Sequence, residues 1–155
     1  MSFLQQVNTP WKMQFFMFLK LPAAWFMGVR VKSCTAEASE VSLPFRWRSQ
    51  NPFRSTYFAA QCGAAEMSTG LLAMAHIQGE KKVSMLVTHI EAEFYKKADK
   101  TLIFTCNEGA LMKEAVQKAI ETGEGQTFRA TSTGTLPDGQ IASKVYVLWS
   151  FKVKN

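Results

Sequence analysis

Glu66 is the only charged side chain between Thr56 and Gln78, in a stretch built mainly from Ala, Leu, Met and Gln. A carboxylate in apolar surroundings is costly unless it has a partner or a task. Burial raises its pKa and makes it a better base, provided it still ionises near neutral pH. Two tasks fit such a group: general-base activation of a water, or direct nucleophilic attack. Cys62 stands four residues earlier, on the same helical face. A cysteine nucleophile needs a neighbouring histidine to lower its pKa, and the chain holds only His76 and His89. His76 points about 280° round the helix from Glu66, and His89 alternates with Glu91 and Glu93 on an outer strand face. Cys62 therefore reads as a small buried thiol. Asn51 precedes Pro52, which is turn chemistry. Tyr57 offers a packing ring with a hydroxyl.

The element that must position these groups is the stretch itself. Apart from Gly63 and Gly70 it consists largely of good helix formers and contains no Pro. Ser55 or Thr56 can cap its start and Gly79 can end it. Such a helix runs about 33 Å, the width of a small domain. Being apolar on nearly every side, it is expected to be buried all round, against sheet or a partner subunit. Its first N–H groups, at Phe58 and Ala59, lie at the positive end of the helix dipole and suit a developing oxyanion.

Around it the chain reads in order. Thr9-Pro10 opens a helix to about Lys20, carrying Trp11, Phe15, Phe16, Met17 and Phe18, and Pro22 stops it. Strands are expected over 25–34 and 35–46. After the central helix, strands are expected over 82–95, with Leu86, Thr88, Ile90, Ala92 and Phe94 sharing one face, and over 101–106. Asn107 is expected to cap a second helix to Thr122, with Leu111, Ala115, Val116, Ala119 and Ile120 as its apolar stripe. Gly123-Glu124-Gly125 is a helix stop and turn. Strands over 126–135 and 140–153 form a hairpin across Leu136-Pro137-Asp138-Gly139. The sum is α+β: a six-stranded, mainly antiparallel sheet around one buried helix.

Composition bounds the rest. The 155 residues, 47% hydrophobic and 19% charged, suit one globular domain. Cys34, Cys62 and Cys106 are odd in number and widely spaced, which argues against a disulfide framework or a zinc site and for a reducing compartment. The apolar run Phe15 to Met27 is broken by Lys20 and Pro22, too short to span a bilayer and without signal-peptide features. The expectation is a soluble, cytoplasmic protein with no transmembrane segment. A formal charge of +6 admits anionic partners. Nucleic acid is ranked last, because the aromatic residues follow core periodicity and do not alternate with a basic face.

This order of elements, with a nearly chargeless helix inside a curling sheet, resembles the hotdog fold. Phenylacetate-type acyl-CoA thioesterases of that superfamily carry a pattern N-x-x-G-T-x-H-G-G with an acid nine positions after the His. Here Asn51 stands at the Asn, Arg54 and Ser55 at Gly-Thr, Tyr57, Phe58 and Ala59 at His-Gly-Gly, and Glu66 at the acid. The later EAEFYKKADKTLIFTC looks like the family's strand-turn-strand. The likeness spans roughly residues 25–151; spacing and acid are kept, while the His and both glycines are replaced. These departures also fit a divergent branch known as a domain of unknown function.

The resemblance implies a single hotdog domain over 1–155 with a helical extension at 1–22. It implies a homodimer, with or without further pairing to a tetramer, and a small-molecule acyl thioester as substrate. Coenzyme A enters as part of that substrate and no separate cofactor is expected. Glu66 would be the base or nucleophile, facing the other subunit's helix start. Asn51 would brace the loop or bind the attacking water, and Tyr57 would stand in for the His. Arg54, Phe58, Ala59 and Cys62 would contact substrate. Arg54 is the best-placed cation for the coenzyme's phosphates, ahead of Lys96, Lys97 and Lys100. The alternative is a non-catalytic hotdog protein that holds an acyl chain or lipid.

Overall fold

A computed structural model describes residues 1–154. Three helices open the chain: α1 (Phe3–Val7), α2 (Pro10–Lys20) and α3 (Pro22–Met27). Ser2 and Gln5 form a reciprocal capping box at the first. The strand expected from Trp25 is therefore shorter, and helix continues to Met27. Pro22 does end α2, but it also supplies the first residue of α3, whose Ala-Ala-Trp-Phe-Met tail continues it until Gly28 at φ 85°. Pro at a helix start and a left-handed Gly past its end form a stop-and-restart signal that strand alternation obscured.

β1 (Arg30–Cys34) and β2 (Ser39–Leu43) follow, then a 3-10 turn at Trp47–Ser49 and the long helix α4 (Phe58–His76). β3 (Val83–Phe94), β4 (Leu102–Cys106), α5 (Gly109–Thr122), β5 (Gln126–Thr135) and β6 (Ile141–Val153) complete the chain. The six strands form one sheet in the order β1-β2-β4-β5-β6-β3, antiparallel at every pairing. α4 packs against β1, β2, β4, β5 and β6, so the sheet wraps around it. This is the hotdog arrangement the sequence led us to expect. Ala60, Ala64, Leu72 and Ala73 of α4 are fully buried, as are Val41, Leu43, Phe104, Val145, Val147 and Phe151 of the sheet. Each large side chain so buried contributes roughly 1.5–3 kcal/mol.

Details differ from the sequence reading where tertiary contacts override local pattern. Tyr57, not Ser55 or Thr56, precedes α4, with no side-chain cap. The Thr56 hydroxyl is used elsewhere, donating to Ala98 O at 2.9 Å. At the other end the helix closes at Ile77, two residues before Gly79. Glu108, not Asn107, precedes α5. That helix buries Met112, Val116 and Ala119, while Leu111 is exposed. On β3 the register shifts at Thr88, between the pairs Val87↔Trp149 and His89↔Leu148. A bulge of this kind moves the following side chains to the opposite face. Met85 and Val87 share the core face before it and Ile90, Ala92 and Phe94 after it, so Leu86 points outward, 66% exposed.

Three buried side-chain hydrogen bonds fix the rotation of α4. Ser143 Oγ donates to Gln61 Oε1 at 2.9 Å, Ser68 and Ser132 hydroxyls meet at 2.7 Å, and Trp149 Nε1 donates to Thr69 Oγ1 at 2.9 Å. Breaking one such bond strands a buried partner, which costs about 1–3 kcal/mol. The helix cannot turn without losing all three. Glu66 lies about 140° round from Gln61, turned from β5 towards the N-terminal helices.

Candidate active site

Glu66 is half-buried and lines a cavity of about 720 Å³. Its other walls are Met67, Gly70, Leu71 and Met74 from α4, Val7, Met13 and Phe16 from α1 and α2, and Met85 and Trp149 from the sheet. Lys12 and Lys20 stand on the α2 side. Among the described residues the Glu66 side chain has no hydrogen bond and no salt bridge; the one ion pair joins Arg129 to Glu91 at 2.9 Å. Desolvation accordingly pushes the Glu66 carboxyl above its ordinary value. An unpaired carboxylate facing a large apolar hollow can remove a proton from water or attack an acyl carbon held there. Cys62, one turn away, is also half-buried, and burial pushes its thiol up, away from the thiolate that attack requires.

The remaining sequence-derived residues gather at the other end of α4. Asn51 Oδ1 accepts from Phe53 N at 3.0 Å, Ser55 N at 3.2 Å and Ser55 Oγ at 3.1 Å. It braces the loop that delivers the helix start. Asn51, Phe58, Gln61, Lys96 and Lys97 line a second cavity of about 590 Å³. Lys96 and Lys97, ranked behind Arg54 from sequence, are the cations on that cavity, and Arg54 is not on its wall. Tyr57 and Phe58 are exposed and meet edge-on at 4.9 Å. Ala59 is exposed as well. The first hydrogen bond of α4 runs from Gln61 N to Tyr57 O at 3.2 Å, so the N–H groups of Phe58, Ala59 and Ala60 precede it. Glu66 lies eight residues beyond Phe58, about 12 Å along the axis. One chain does not bring the acid and the helix start together.

Arg54 carries φ 59°, the one left-handed residue other than glycine among those described. It stands where the thioesterase pattern has Gly, and the backbone shows why: that turn needs a conformation that costs an L-residue about 1–2 kcal/mol. Arg54→Gly is expected to raise stability by about 0.5–1 kcal/mol, the relief exceeding the added entropy of the unfolded chain. Urea unfolding measures it, and a loss of stability would mean that the Arg side chain holds the loop.

Sequence reasoning missed the roof of the Glu66 cavity. Met13 and Met17, buried at one-turn spacing, were the available signal that α2 packs inward.

A family model described as a domain of unknown function, DUF4442, matches residues 9–132. The chain belongs to the DUF4442 family. Asn51, Arg54, Tyr57 and Glu66 all fall inside the matched span, as does α2. No curated protein matches this DUF4442 chain. Among solved structures, a Pseudomonas aeruginosa protein of unknown function described as a probable thioesterase aligns at TM-score 0.79 and 15% identity, over 94% of this chain and 97% of its own. A Chlorobaculum tepidum protein of unknown function aligns at 0.73 and 14%, over 96% and 99%. A Haemophilus influenzae thioesterase aligns at 0.69 and 14%, over 94% and 91%. Likeness at such identities speaks for the fold, and it agrees with the hotdog fold described above for this DUF4442 chain. No helix among the described residues is long and apolar enough to cross a membrane.

Proposed function

We propose that this protein is a thioesterase-like hydrolase of acyl-coenzyme A, with Glu66 as base or nucleophile at a site completed by a second copy. One observation carries the proposal: a desolvated carboxylate without a partner among the described residues faces an apolar cavity, and the cavity's size falls within the roughly 300–1,000 Å³ of small-molecule sites. The acyl chain lies in that cavity. Glu66 takes a proton from water as the water oxygen bonds to the thioester carbon. The carbonyl oxygen, now an oxyanion, accepts from the N–H groups at the start of the partner's α4. Collapse breaks the carbon–sulfur bond, and the coenzyme thiolate leaves and is protonated. If Glu66 attacks directly, its carboxylate forms an anhydride that water then opens. The copy that supplies the helix start also supplies Lys96 and Lys97, which line its second cavity and would meet phosphates, while its Asn51 braces the loop ahead of that helix.

The open edge of β3 supports the second copy. β3 pairs only with β6, and its Ile90 and Phe94, on the core face of the sheet, are 41% and 47% exposed. A twelve-residue unpaired edge is a template for strand addition. Ile90→Lys is expected to convert a dimer to a monomer in light scattering, and a monomeric parent chain would refute the two-copy site.

Free-thiol release from a panel of acyl-coenzyme A esters tests the function. Turnover of at least one chain length is expected, and none on any length removes the enzymatic proposal. The second reading, a non-catalytic holder of an acyl chain, is favoured by the apolar lining that α1 and α2 add to the cavity beside Glu66. Native mass spectrometry showing a retained fatty acyl ligand without turnover would select it.

A further inference from the structure

The first sixty-five residues hold seven of the eighteen lysines and arginines and two of the twelve acids, so five of the six net positive charges lie there. The same segment exposes much of the molecule's large apolar surface. α2 buries only Met13 and Met17. Phe18, Trp11, Phe15 and Leu19 are exposed at 53%, 69%, 61% and 55%. Helical geometry sets these four within an arc of about 100°. Lys12 lies about 20° beyond one edge of that arc and Lys20 about 100° beyond it, on the side that lines the Glu66 cavity.

The patch continues beyond α2. Phe18 meets Trp25 edge-on at 5.0 Å, and Phe26, the next residue, meets Trp47 edge-on at 6.5 Å. The Arg48 guanidinium lies over the Phe26 ring at 5.5 Å. Arg30 is drawn into the same cluster: burial, then the charges of Arg48 and Arg46, lower its pKa. Among the described residues none of these cations has a salt bridge.

An aromatic arc with a lysine at one edge, beside a separate cluster of arginines, suits a helix lying in a membrane interface, and Trp is favoured at headgroup level. Two identical copies of this face in contact would bring one set of cations without ion pairs up to another with no acid between them, which is unfavourable. An anionic bilayer satisfies both halves of the patch.

We infer that α2, α3 and the Trp47–Ser49 turn dock the protein on an anionic lipid bilayer. Trp11, Phe15, Phe18, Leu19, Phe26 and Trp47 enter the boundary between headgroups and acyl chains, and Arg46 and Arg48 meet lipid phosphates. The α2 wall of the Glu66 cavity then lies against the membrane, where acyl chains are concentrated. Docking does not depend on Glu66 being catalytic, so it stands or falls apart from the hydrolase proposal.

The test is co-sedimentation of the full chain with phosphatidylcholine vesicles, with and without phosphatidylglycerol, together with tryptophan emission. Binding is expected to require phosphatidylglycerol, to blue-shift the emission and to be released by high salt. An Arg46→Gln/Arg48→Gln chain is expected to partition about thirtyfold less, on a contribution of about 1 kcal/mol per cation. A Trp11→Ser/Phe15→Ser chain is expected to lose binding with its melting temperature unchanged, since both side chains are exposed. Absence of partition, or partition that neither pair of substitutions changes, overturns the inference. So does a Trp11→Ser/Phe15→Ser chain that falls from dimer to monomer, an outcome that names a second copy as the occupant of this face.

Discussion

Glu66→Gln is expected to cut thioester turnover about a thousandfold while stabilising the fold at neutral pH. The two effects share one cause. A general base contributes about 10²–10⁴ in rate, and glutamine cannot take the proton, so kcat should fall on the order of a thousandfold with KM little changed. The stability effect follows from the raised pKa of a carboxyl desolvated among methionines. Because the folded state holds the proton more tightly than the unfolded chain, the benefit of a protonated Glu66 is complete below the ordinary value of 4.5 and is lost as pH rises through the folded-state value. The wild-type chain then bears a buried charge that glutamine, of nearly the same shape, does not. The variant should therefore gain stability over wild type at pH 7–8, and that gain should shrink towards pH 4. Urea unfolding of both chains across that range measures it. A difference independent of pH would show Glu66 to be solvated, whatever happens to the activity.

Much of this site was legible because one residue type stood alone. A single acid in twenty-three residues of helix formers announces both a buried rod and a group with a task, and the rod is where the sequence put it, to within two residues at each end. The hairpin at Leu136-Pro137-Asp138-Gly139 was equally plain, since Gly139 takes the left-handed φ of 82° that such a turn asks for. What stayed hidden depends on contacts between distant residues. The bulge at Thr88 leaves only a faint local mark, the two polar residues Thr88-His89 in a row, yet it decides that Leu86 points out and Ile90 in. Thr69 reads as an unremarkable helix residue until Trp149, eighty positions later, donates to it. The cavity's roof was concealed because α2 is apolar on both sides: Met13 and Met17 face in, Trp11 and Phe15 face out, and periodicity cannot rank two apolar faces. The same ambiguity makes α2 the link between the cavity and whatever lies outside it.

Gly109→Ala should cost about 4 kcal/mol or prevent folding, and the reason lies in a clamp that no local pattern encodes. A Cβ at Gly109 would stand 2.1 Å from Ala36 O and 2.6 Å from Glu37 Cα. Both are backbone, so no side chain can swing aside. Gly109 N also donates to Glu37 O at 3.0 Å, which fixes the approach. His76 Nε2, at the end of α4, also donates to Ala36 O at 2.9 Å. The turn between β1 and β2 is thus held by the start of α5 and the end of α4 together. Moving it to make room for one methyl breaks both bonds and strains the entry to β2. Overlap of this kind belongs to the small class of substitutions beyond about 4 kcal/mol. Gly125→Ala is the control: its nearest atom is 3.9 Å away, and its effect should stay within about 0.5 kcal/mol. Guanidinium unfolding compares the two. Since Gly109 lines neither cavity, any Gly109→Ala protein that does fold should keep its per-molecule turnover. Equal stability of the two variants would mean that the Ala36–Glu37 turn yields freely, and that α4 and α5 are not tied through it.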